Sequence, residues 1–154
     1  MSDQLTPSDR RRRAHATIDR LVAALLDHDM AAFAEEWAPD GAMEFPFAPP
    51  GWPTVSGKDA VRDYLVGFPD NVDIRGIRHQ TRHDTGDPDT LIVEWGVTGA
   101  VLRTGNPYDI DYVAVVTVGD QGITEYRDYW NPLAVSAAMG SIDDAVSAFH
   151  PAAP

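Results

Sequence analysis

The sequence predicts an α+β fold: a cone-shaped, curved antiparallel sheet that encloses a cavity and packs against three helices from the N-terminal half. Three observations carry this. As far as Phe68, apolar residues recur mainly at helical spacing. From Val72 onward, four long runs rich in β-branched and aromatic residues follow one another. Those runs are joined by "GDPD", "TGNP" and "GDQG", which are turn chemistry, and connections so short require antiparallel neighbours. Helices gathered ahead of a meandering sheet are the order of an α+β chain.

The first helix shows one apolar face through Ile18, Leu21, Val22, Leu25 and Leu26. Thr6 suits its N-cap, Pro7 its first position and Asp9 its first turn. The run Arg10 to Arg13 reads as a solvated helix face that offsets part of the acidic charge. A second, shorter helix starts at Asp29, with Met30, Phe33 and Trp37 turned inward, and Pro39-Asp40-Gly41 is expected to stop it in a turn. "AMEF" reads as a first strand. The next stretch, "PFAPPGWPTVSG", holds four prolines and cannot be a central strand or a helix interior. Its Phe47 and Trp52 suggest a stiff loop over the mouth of a pocket. In "SGKDAVRDYLVGF" a third helix follows, capped by Ser56, with Val61, Tyr64, Leu65 and Phe68 on its apolar face. The strands are "VDIRGIRHQTRHDT", "TLIVEWGVTGAVLR", "YDIDYVAVVTVG" and "GITEYRDYWNPL".

The chain has 154 residues, enough for one domain with a sizeable core, and 1–6 and 141–154 are expected to be peripheral tails. A net charge of −12 argues against nucleic acid as a partner. There is no cysteine, which removes disulfide and thiol chemistry. No apolar run is long enough to cross a membrane and no signal-peptide core is visible, so a cytoplasmic location is expected.

Strand alternation groups the candidates for chemistry. Tyr126, Asp128 and Trp130 share one face of the last strand, while Glu125, Arg127 and Tyr129 share the other. An acid between two aromatic residues is costly to ionise and so reads as a tuned acid/base. Glu94 shares a face with Ile92 and Gly96, and Tyr112 sits with Ala114 and Val116. His79 and His83 lie four apart in "RHQTRHD", a spacing too weak to imply a metal site. The expected catalytic group is Asp128 with His83 and Glu94. The expected substrate-binding residues are Trp52, Tyr64, His79, Tyr112, Tyr126 and Trp130. Val93, Trp95 and Val97 suggest a second apolar sheet face, through which two copies would pair.

The succession "GFPD", "DTGDPDTLIVEW", "TGNPYDIDYV" and "GITEYRDYWNPL" resembles the SnoaL-like family of the ketosteroid isomerase and nuclear-transport-factor-like superfamily. The likeness spans roughly Arg13 to Gly140 and is nearest the branch of the phenazine biosynthesis proteins PhzA and PhzB. It implies a cone-shaped homodimer that works without a cofactor or metal. Asp128 falls where polyketide cyclases of the family carry their acid/base and where phenazine members carry a Glu. Ala60 and Tyr64 fall where the phenazine members carry a His and a Ser, so the chain departs from that chemistry. An Asp-Arg-Asp set like that of limonene epoxide hydrolases is not assembled. The resemblance therefore implies a cofactor-free cyclase, isomerase or dehydratase of secondary metabolism, acting on an aromatic or polyketide-like small molecule. The alternative is a non-catalytic binding or protein-interaction module of the same fold.

Overall fold

The computed structural model describes residues 4–140, so most of the expected tails lie outside the described residues. Helix α1, Pro7–Leu26, begins as its sequence dictates: the Thr6 hydroxyl oxygen accepts the Asp9 backbone N–H at 3.1 Å. It buries Ala14, Thr17, Ile18, Leu21, Ala24 and Leu25, while Leu26 stays exposed. Its arginines are not simply a solvated face. Arg10 and Arg13 both pair with Asp89, Arg13 also reaches Asp120 at 2.7 Å, and Arg11 donates to the Thr85 carbonyl at 3.1 Å. Asp89 is held below the usual carboxylate range, first by the Arg10 hydrogen bond. These contacts clip α1 to two turns of the sheet.

Helix α2, Met30–Glu35, is capped by Asp29, which accepts from Ala32 N–H at 2.9 Å. It stops before Trp37, which instead opens strand β1, Trp37–Glu44. Pro39-Asp40-Gly41 is thus not a turn. It bulges inside the strand, where the pairing register moves from Trp37↔Ile123 to Ala42↔Glu125. A bulge tolerates proline, which has no N–H for the ladder. It also needs glycine: a Cβ on Gly41 would stand 2.2 Å from the Ile123 carbonyl oxygen.

After the proline-rich loop, strand β2 (Val55–Ser56) pairs with β1, so Ser56 extends the sheet rather than capping a helix. Helix α3, Lys58–Leu65, follows Gly57, whose φ of 92° suits glycine. Phe68 belongs to a separate single turn, α4, Phe68–Asn71. The four long strands form as expected: β3 (Val72–Asp84), β4 (Thr90–Val101), β5 (Ile110–Gly119) and β6 (Gly122–Trp130). The sheet is curved and unclosed, in the order β2-β1-β6-β5-β4-β3. One pairing departs from the antiparallel expectation: β1 runs parallel to β6. Two register shifts in β3, between Ile74 and Gly76 and between Ile77 and His79, bend the long β3–β4 ribbon.

The last strand ends at Trp130, not Leu133. Asn131 then caps helix α5, Pro132–Met139, by accepting from Leu133 N–H at 2.9 Å, with Pro132 at the first position. Five helical segments therefore accompany the sheet among the described residues, rather than three. None of them is long and apolar enough to cross a membrane.

Candidate active site

On β6 the alternation holds as read: Tyr126 and Trp130 are buried on the inner face, while Arg127 pairs with Glu125 at 2.7 Å on the outer one. The register carries the inner face across the sheet. Asp128 lies opposite Ala114, Trp130 opposite Tyr112 and Tyr126 opposite Val116. One strand further, Ala114 faces Val93 and Tyr112 faces Trp95. Together with α3, α4, α5 and the proline-rich loop, these strands bound a cavity of about 460 Å³, within the usual range for a small-molecule site.

Asp128 opens onto this cavity. Its Oδ1 is sealed from solvent and has no hydrogen-bond partner. Asp128 as a whole is half-buried, and it is Oδ1 that is closed off. Burial pushes its pKa up to about 7, because desolvation penalises the charged form. Around it stand Trp52 and Trp130, with ring centres 5.5 Å apart, and Phe45 and Tyr64, 5.2 Å apart. Trp52 Nε1–H donates to the Tyr64 hydroxyl at 3.3 Å. Thus Trp52, Tyr64, Tyr112, Tyr126 and Trp130 all meet Asp128's cavity.

The sequence reading missed further lining residues. Tyr108 shares a 2.6 Å hydroxyl contact with Tyr112, and Phe68 stands edge-on to it. Burial raises the Tyr108 pKa to about 12, and drives Tyr112 and Tyr126 well above the normal tyrosine value. All three are neutral hydroxyls at neutral pH. The i, i+4 spacing of Tyr108 and Tyr112 in "NPYDIDYV" was a visible signal, since residues four apart in an extended stretch share a face. Val135 and Met139 also line the cavity, and they come from the unforeseen α5. Trp95, only 8% exposed, carries a buried indole N–H without a partner.

His83, Glu94 and His79 do not reach the cavity. His83 bonds Glu94 at 2.7 Å and His79 bonds Asp111 at 2.9 Å, all on the exposed outer face. The reason is the register: since Trp95 is opposite Tyr112, Glu94 beside it must point the other way. The same reversal corrects the expected pairing surface, because Val93, Trp95 and Val97 are buried inner-face residues.

The proline-rich loop divides its two aromatic residues. Trp52 lines the cavity, whereas Phe47, 63% exposed, packs on Tyr129 of the outer face at 4.9 Å. Among the described residues no cluster of three or more His, Asp or Glu side chains is placed to hold a metal ion. What the cavity offers chemically is one carboxyl that can give or take a proton near neutrality, set in aromatic walls with hydroxyl groups nearby.

A family model described as a SnoaL-like domain matches residues 18–126. The uncharacterized protein YesE of Bacillus subtilis is 36% identical over 129 residues, 83% of this chain and 88% of that protein. An uncharacterized PhzA/B-like protein of Pseudomonas aeruginosa is 34% identical over 118 residues, 76% of this chain and 83% of that one. The crystal structure of a protein titled "Putative Isomerase" from Bacillus subtilis superposes with a TM-score of 0.81 at 34% identity, over 89% of this chain and 97% of the other.

Proposed function

This chain belongs to the SnoaL-like domain family, and on that premise we propose that it is a small-molecule enzyme of the isomerase or cyclase type, with Asp128 as its acid/base. The observation that carries the reading is the Asp128 carboxyl: it is unpartnered at Oδ1, it opens on an aromatic cavity, and its pKa lies at about 7. A group titrating near working pH is well matched both to take a proton from carbon beside a carbonyl and to return it. Both steps occur in isomerisation, and the first initiates an aldol-type ring closure. Neither consumes a cofactor. The likeness to the protein titled "Putative Isomerase" supports the same class.

In this proposal Asp128 abstracts the proton as carboxylate. The Tyr108–Tyr112 hydroxyl pair stabilises the oxygen that gains charge. Trp52, Tyr64, Tyr126 and Trp130 stack on and orient an aromatic or polyketide-like body. His83, Glu94 and His79 have no part in it. We also propose a homodimer, now supported by the half-exposed outer strip of Ile92, Val113, Val115 and Tyr129 rather than by the buried residues first expected.

The test needs no prior substrate. A panel of cyclic and open-chain ketones is incubated with the protein in D2O, and deuterium uptake beside the carbonyl is followed by NMR. Wild-type protein should accelerate exchange for a subset of the panel, and Asp128→Asn should lose that acceleration. Equal acceleration by the variant would remove Asp128 from the role. Binding of the same ketones without any exchange would favour a non-catalytic module.

A further inference from the structure

The cavity contains ionisable charge of one sign only. Among the described residues Asp128 is its single acid, and none of those bordering it is a Lys, Arg or His. The other titratable groups that face Asp128 are phenols: Tyr64 from α3, Tyr108 from the stretch ahead of β5, Tyr112 from β5 and Tyr126 from β6. Burial raises the pKa of each, so none supplies charge of either sign at neutral pH. The rest of the wall is aromatic, aliphatic or thioether apart from Gly67 and Asn71. An anionic ligand would meet the carboxyl with only neutral donors, and no cation among the described residues, to compensate it. A wholly apolar ligand would displace water and leave the carboxyl unpaired, which costs free energy. A cationic nitrogen removes both difficulties, since it pairs with the carboxylate and is attracted to aromatic faces. The net charge of −12 favours the approach of cations as well.

We propose that the ligand of this cavity carries a positively charged nitrogen, as a protonated amine or quaternary ammonium on an apolar body, with Asp128 as its counter-charge and the Trp52–Trp130 wall against its face. This rests on reading the cavity as the ligand site and is independent of whether turnover occurs. It narrows the substrate class to amines and excludes free carboxylates and phosphates.

Benzyltrimethylammonium is the probe, because it cannot exchange protons. Neopentylbenzene is its neutral isostere and benzoate the anionic control. Binding is followed by quenching of tryptophan fluorescence and by calorimetry between pH 5.5 and 8.5. At pH 8 the cation should bind at least about tenfold more tightly than the isostere, and benzoate should not bind measurably. Cation affinity should fall as pH drops through about 7 and Asp128 takes up its proton, while isostere affinity holds or rises because the carboxyl it leaves unpaired becomes neutral. Asp128→Asn should abolish the preference without weakening isostere binding. Trp52→Leu should weaken the cation several-fold more than the isostere, which keeps the proposal testable should Asp128→Asn fold poorly. Equal affinity for cation and isostere at pH 8, no saturable cation binding, or a preference that survives Asp128→Asn would each overturn it. A cation preference with no exchange in ketones, including ones that carry a protonated amine, leaves this inference standing and sinks the proposed catalysis. Ketone exchange without a cation preference does the reverse.

Discussion

The two faces of the sheet treat charge in opposite ways. On the outer face His79 meets Asp111, His83 meets Glu94 and Arg127 meets Glu125, each within 3 Å and each open to water. On the inner face, one residue along β6 from Arg127, Asp128 has its Oδ1 sealed with no partner. Exposed pairs are cheap to build and contribute little. A desolvated lone carboxyl is costly and persists only where the surrounding packing holds it in place. The residues that look most reactive in the sequence, two histidines and a glutamate, are therefore the less informative set.

The largest expected effect separates the faces in activity. Asp128→Asn should lower any ketone-exchange rate by about 10²–10⁴-fold, whereas Glu94→Gln and His83→Ala should leave it within about twofold. A dependence on Glu94 as strong as that on Asp128 would break the contrast. Next comes packing. Trp95→Ala removes a buried inner-face side chain and should cost about 3–5 kcal/mol. Ile92→Ala, on the partly exposed outer face, should cost well under half of that in the same urea titration.

A third effect concerns pH. The folded pKa of Asp128 lies above its unfolded value of 3.8, so the folded state holds its proton more tightly. Its penalty is absent at pH below 3.8, grows as pH rises and levels off above about 7. The melting temperature of Asp128→Asn relative to wild type should therefore climb between pH 4 and pH 8, by the equivalent of roughly 1–4 kcal/mol. A flat difference would show that the carboxyl is solvated or paired. The smallest effect is at the outer pairs: Glu94→Gln should change stability by less than about 1 kcal/mol, and still less in high salt.

Legibility followed how local the determining contact was. Thr6 was readable as a cap and Asp29 as a helix start because such signals bond within their own first turn. Tyr126-Asp128-Trp130 was readable as one face because β6 has no bulge across those residues. The phase of β4 was not readable. "TLIVEWGVTG" is apolar on both faces, and only the pairing of Trp95 with Tyr112 settles which face is inner. Nor was β1 readable, since Pro39-Asp40-Gly41 has the local chemistry of a turn and becomes a bulge through contact with distant Ile123. Asn131-Pro132 did carry a helix-start signal. It was masked by the strand-like residues just ahead of it.

The parallel pairing of β1 with β6 also orders events in time. Each local ribbon, β3 with β4, β4 with β5 and β5 with β6, joins neighbours in sequence and closes only a short loop. β1 must wait for a strand most of the described chain away, and contacts of such separation are the slow ones in folding. During synthesis Trp37 and Met43 are made early, yet their places beside Ile123 and Tyr126 do not exist until β6 has left the ribosome. The cavity wall is thus among the last parts of the molecule to form. Trp37, fully buried with its ring 5.3 Å from Tyr126, would report that step as a late fluorescence change, after the meander itself has assembled.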